Sequence, residues 1–193
     1  MSDPDVIDKL AGLTPESPLA AIRDRKPVTR QNAQASYRAL FEPVDPSDVS
    51  MRERFALASF VAGLHADAEA EAFYAAGLAP FVAALSAEIE RGRAVGPYGA
   101  YPPGPLSAED IAGPLYAVAE AHRAVFGVRL TAALAHVHML VFHPRDANAA
   151  ALQALLDAGW SNAGIVTLSQ LVAFLSFQIR AAAGLRVLAG SMP

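Results

Sequence analysis

The chain contains no cysteine. That absence excludes disulfides, thiolate nucleophiles, Cys-x-x-Cys redox chemistry and cysteine-ligated zinc or iron–sulfur sites. Charge is also sparse. Lys, Arg, Asp and Glu make up 18% of the 193 residues, with a formal net charge of -4 and a pI near 5.7. An acidic balance argues against nucleic acid as the main partner, because phosphate recognition needs a basic surface. The Gly-rich phosphate loop, HExxH, GxSxG and the EF-hand pattern are missing too. The first residues, Met1-Ser2-Asp3-Pro4-Asp5, are acidic with no apolar run behind them, unlike a secretory signal. Lack of cysteine fits a reducing compartment, so a cytoplasmic protein is expected.

What is present is apolar. Ala, Val, Ile, Leu, Met, Phe, Trp and Tyr together reach 53%, with a mean hydropathy of +0.28. That is enough to bury a sizeable core and argues against disorder. From Ala158 to Ile179 no side chain is charged, a length that could span a bilayer. Ser161, Asn162, Thr167, Ser169, Gln170, Ser176 and Gln178 interrupt it, so a buried helix of a soluble protein is expected and no membrane partner.

Alanine dominates, β-branched runs are short, and Gly and Pro fall between periodic stretches, which predicts an all-α fold. Four regions are expected: an N-terminal helical arm over 1–46, a first helical half over 47–94, a Pro/Gly-rich linker over 95–106, and a second half over 107–193. In the arm, Thr29 to Phe41 reads as a helix stopped by Pro43. Asp45-Pro46-Ser47-Asp48 offers cap chemistry for a helix reaching about Ala66. The next helix, about Ala68 to Ala94, should break near Gly77–Pro80. Val95 to Leu106 holds four Pro and three Gly, too many for regular structure. Its Tyr98 and Tyr101 either cover a pocket or pack locally. Ser107-Ala108-Glu109-Asp110 resembles a capping box opening a helix to Phe126. Leu130 to Phe142, Ala147 to Ala158 and Asn162 to Ala183 complete the set, with Gly184 as a left-handed stop. Each half carries an Ala-Leu-Ala helix, a break, and a helix ending at Ala-Gly, which suggests related modules.

Candidate chemistry rests on scattered histidines. Glu53 and His65 lie on roughly one helix face but about 18 Å apart along a straight axis. They can serve one cavity only if the helix breaks before His65; otherwise His65 is a helix-terminal residue bonding a carbonyl. His136 and His138 would share a face on a strand and could bind one metal, but in a helix they point apart. One should then face the core and the other a surface or subunit contact. His122 reads as an exposed helix residue and His143 as a turn residue. Arg180, the first charge after the long apolar stretch, is expected to bind an anion, pair inside an interface, or reach water.

Two segments carry a family resemblance. Arg52-Glu53-Arg54-Phe55-Ala56-Leu57-Ala58 and Ala154-Leu155-Leu156-Asp157-Ala158-Gly159-Trp160-Ser161, continuing through Leu171–Phe177 to Arg180 and Gly184-Leu185, resemble the AhpD-like carboxymuconolactone decarboxylase superfamily. The resemblance covers roughly 47–93 and 129–188 and is closest to cysteine-free members. It implies an AhpD-like helical bundle and a homo-oligomer. Peroxidase members carry Glu, eleven residues, Cys-x-x-Cys, three residues and His. On this chain those positions hold Glu53, His65, Ala68 and Ala72, so only the glutamate survives. Disulfide-forming peroxide reduction needs an attacking and a resolving thiol, so thiol peroxidase activity is rejected.

Three readings follow. The first is a cofactor-free acid–base enzyme, decarboxylase-like, acting on a small organic acid through Glu53 and His65, with His136 or His138 contributing. The second is a non-catalytic binding or scaffold protein that partners a cysteine-bearing relative. The third is a haem or metal site using His65 with His136 or His138.

Overall fold

The computed structural model describes residues 5–46, 48–79 and 81–191. Ser47 of the expected cap and Pro80 of the expected break lie outside them. Among the described residues the regular elements are helices: α1 (Val6–Ala11), α2 (Pro18–Asp24), α3 (Pro27–Phe41), α4 (Met51–Leu64), α5 (Ala68–Ala75), α6 (Val82–Gly92), α7 (Glu120–Phe142), α8 (Ala149–Asp157) and α9 (Asn162–Ser191). The one β-type pairing among those residues is an isolated antiparallel bridge between Gly99 and Ile111. The all-α expectation holds.

The middle of the fold is α4. From Ala56 to Ala62 nearly every side chain is sealed from solvent, because α4 packs against α5, α6, α7 and α9 together. This explains why its sequence is apolar on all sides. At Gly63 the neighbouring helix comes closest: a Cβ there would lie 2.6 Å from Ile89 of α6. One continuous core joins Val6 of α1 to Ala182 of α9.

The N-terminal segment belongs to that core. Val6, Ile7 and Leu10 are buried, and α1 packs on α9. Its buried acids, Asp5 and Asp8, are met by two arginines. Arg23 Nη1 lies 2.9 Å from Asp5 Oδ1 and Arg30 Nε 3.0 Å from Asp5 Oδ2, and both arginines also pair with Asp8. Burial raises the Asp5 carboxyl, but the bonds from Arg23 and the Asp8 amide outweigh it and hold the group below the usual aspartate range.

Several boundaries differ from the sequence reading. Ser50, not the Asp45–Asp48 stretch, caps α4: its Oγ accepts from the Glu53 amide while Glu53 Oε2 accepts from the Ser50 amide at 2.8 Å. The expected helix over 107–126 is mostly absent. Pro105–Glu109 makes a 3-10 turn, residues 112–119 have no regular structure, and α7 begins only at Glu120. Pro114 removes a donor there, and Tyr116 and the Ala119 amide bond a carboxylate on α6 instead of a helix ladder. Within α7, Gly127 takes φ 73° and kinks the helix. Gly184 does not stop α9, which runs on to Ser191. Beyond Gly184, Leu185 packs on the core, Arg186 donates to Leu10 O at 2.6 Å, and Arg186 pairs with Asp67. These contacts outweigh the helix-stop preference of one glycine.

The order helix, turn, short helix, left-handed glycine, helix occurs twice, as α4–α5–Gly77–α6 and as α7–α8–Gly159–α9. His65 and His143 occupy matching places, each the C-terminal cap of the first helix. By length and composition alone, α7 and α9 are long and apolar enough to cross a membrane, a property shared with core helices of soluble proteins.

Candidate functional site

A cavity of about 540 Å³ opens between the end of α4, the end of α7 and the middle of α9. Leu140, Val141, Phe142, Val172 and Ala173 form its apolar wall, and Gly96-Pro97 of the linker form another side. Its polar side chains are His65, Ser169, Ser176 and Arg180. A hollow with an apolar wall and a few convergent polar groups is the usual shape of a small-molecule site.

Each polar group is placed by its helix. His65 ends α4, so its ring projects past the last turn toward α9. Ser169, Ser176 and Arg180 recur at spacings of seven and four, which keeps them along one strip of α9. His65 Nε2 lies 3.3 Å from Ser176 Oγ. Burial and the nearby Arg180 guanidinium push the His65 imidazole below the ordinary histidine range, and Asp67 pulls weakly the other way. The ring is therefore neutral near pH 7 and able to take a proton. Arg180 is exposed at the cavity edge and has no ion-pair or hydrogen-bond partner among the described residues.

Glu53 stands elsewhere. It lies at the opposite end of α4, where Oε1 accepts from Arg129 Nε at 2.6 Å and Oε2 closes the capping box. Arg129 also donates to Gly159 O at 2.6 Å and lies 4.1 Å above the Trp160 ring. Glu53 and His65 thus share a helix but not a cavity, because α4 does not break before His65. The Ser50-x-x-Glu53 spacing was the signal for this capping role.

His136 and His138 are both buried, correcting the expectation that one faces a surface, and neither lines the cavity. Both belong to α7 and point apart, so they do not form a pair on one metal. Among the described residues no group of three or more His, Asp or Glu is placed to hold a metal ion. His138 Nε2 lies 2.9 Å from Gly92 O, its acceptor, and its ring stacks on Tyr116 at 4.7 Å. Burial lowers its pKa to about 4, with His143 adding to the effect. Its Nδ1 and the Nε2 of His136 are buried without hydrogen-bond partners among the described residues.

His122 is not a free surface residue. Its Nδ1 lies 2.6 Å from Glu88 Oε1. Glu88 is wholly buried and also accepts from Tyr116 Oη at 2.8 Å and the Ala119 amide at 3.1 Å. Burial raises this carboxyl, yet the bonds from His122, Tyr116 and Ala119 prevail and hold it below the usual glutamate range. The cluster ties the irregular 112–119 stretch to α6. His143 is a turn residue, as read, and lies 2.8 Å from Asp146 Oδ2. Tyr98 packs locally, 4.8 Å from the His143 ring, and Tyr101 lies under Arg145.

The chain matches no protein-family model, no curated protein and no solved structure.

Proposed function

We propose that the protein binds a small organic acid in the cavity between α4, α7 and α9, and that His65 handles a proton there. The observation that carries this reading is an arginine, Arg180, without a hydrogen-bond or ion-pair partner among the described residues, on the rim of a hollow that has an apolar wall and also holds a neutral histidine. A guanidinium recognises a carboxylate through two parallel hydrogen bonds. The wall of Leu140, Val141, Phe142 and Val172 suits the organic body of such a ligand. His65 faces the same space and can act as general acid or base. Of the groups named from sequence, His65 and Arg180 serve this reading, whereas Glu53, His136 and His138 have structural places.

The relation to the carboxymuconolactone decarboxylase superfamily remains a proposal carried by the sequence resemblance, and a cofactor-free, decarboxylase-like proton step is its mechanistic form. Self-association is proposed as well. Val166, Phe177 and Leu188 are exposed along α9 at intervals of eleven residues, about three helical turns, which puts them on one line.

The test is calorimetric titration with phenylacetate, a carboxylate with an apolar body. The wild type should bind it, and Arg180→Ala should lower the affinity at least about tenfold, the size expected for losing a charge-assisted pair. Equal affinity in both proteins contradicts the reading.

A further inference from the structure

We propose that Ser176 is a nucleophile activated by His65, and that the cavity hydrolyses small uncharged carboxylic esters to the acid that Arg180 then holds. This rests on the reading of the cavity as a carboxylate site and adds a covalent step to it.

The first argument is the hydroxyl's own bonding. A serine inside a helix commonly turns its hydroxyl back onto the carbonyl four residues earlier. Ser169 does so, donating to Ile165 O at 2.9 Å. Ser176, two turns later on the same strip, does not. Among the described residues its hydroxyl has one partner, the His65 ring, 111 residues away in sequence. A serine freed from its helix and aimed at an imidazole in a cavity is the arrangement general-base activation needs. The 3.3 Å separation is at the long end for a hydrogen bond, as such pairs often are without substrate.

The second argument is protonation. A base must be unprotonated to accept from a hydroxyl. Burial and the Arg180 charge both favour the neutral ring. With Nε2 accepting, the ring's proton resides on Nδ1.

The third is charge stabilisation. Attack on a carbonyl creates an oxyanion, which needs a donor aimed at it. Arg180 is the cavity's one permanently charged lining residue, and it has no competing carboxylate among the described residues. The same cation would first steady the oxyanion and later hold the product.

Ser176 Oγ attacks the acyl carbon while its proton passes to His65 Nε2. The bond to the alkoxy oxygen breaks, and that oxygen leaves as the alcohol carrying the proton from His65. A water molecule then attacks the acyl-serine and gives a proton to His65, which returns it to Ser176 Oγ. The acid departs as a carboxylate, its proton going to solvent.

The experiment is covalent labelling of the full chain with diisopropyl fluorophosphate, read by intact mass and peptide mapping, beside the phenylacetate titration. One adduct per chain on Ser176 is expected. His65→Gln should slow labelling by about 100-fold, the lower end of what a positioned base contributes. Phenylacetate should protect Ser176 in the wild type, a readout that needs no variant to fold. No adduct, an adduct at another residue, or unchanged labelling of a folded His65→Gln protein would overturn the proposal. Phenylacetate binding without a Ser176 adduct overturns the esterase step and leaves the carboxylate site standing. An adduct without phenylacetate binding overturns the carboxylate reading instead.

Discussion

Arg129 Nε donates to Glu53 Oε1 across 2.6 Å, joining the start of α4 to α7 and, through Gly159 O, to the turn before α9. The glutamate that the family resemblance offers as catalytic caps α4 and ties it to α7. Glu53→Gln keeps the shape but removes the charge. It should lower stability by about 1–2 kcal/mol, a fall in Tm of roughly 3–6 °C for a chain of this size. Phenylacetate affinity should stay the same. Thermal melts followed by circular dichroism, with calorimetry, check both halves.

The approach of α4 and α6 gives a packing prediction. A methyl group on Gly63 would meet Ile89 at 2.6 Å, and Ile89 is itself buried. Gly63→Ala should therefore destabilise by about 1–3 kcal/mol despite its better helix propensity. Urea unfolding measures it. A stabilised variant would mean that the two helices part easily.

His138 supplies a pH prediction. Its folded pKa, lowered to about 4, lies below the ordinary histidine value of 6.5. The unfolded chain then binds the proton first, so stability falls as pH drops from about 6.5 toward 4 and this contribution levels off below that. The proton NMR signals of the His138 ring should stay in their neutral positions down to about pH 5. A titration midpoint near 6.5 would contradict the buried placement.

The exposed line of Val166, Phe177 and Leu188 predicts self-association. Light scattering should give a mass above that of one 20.2 kDa chain, and Phe177→Glu should lower it. A monomer at every concentration tested would remove this part of the account.

How much of this was legible depends on range. Helices whose ends are marked by proline or cap residues, such as α3 before Pro43, could be read because the marker is local. The break between α5 and α6 was legible for the same reason. The stretch 112–119 was not: Ser107-Ala108-Glu109-Asp110 looks like a cap, but Glu88, far back in sequence, claims Tyr116 and the Ala119 amide. Gly184 failed as a stop because Arg186 is anchored by Leu10 and Asp67, contacts no local pattern contains. In the site, His65 was singled out near the end of an apolar helix and Arg180 as the first charge after a long uncharged stretch. Ser176 was only one hydroxyl among several on α9, and its pairing with His65 exists solely in the folded chain.

The central claim is that Arg180 and His65 define one carboxylate site. A crystal structure of the protein grown with 4-bromophenylacetate tests it most directly, since the anomalous bromine signal fixes where and how the ligand lies. The account predicts bromine against Leu140, Phe142 and Val172, with the carboxylate within hydrogen-bond distance of the Arg180 guanidinium. A fully occupied ligand bound elsewhere, with this cavity holding only solvent, would contradict it.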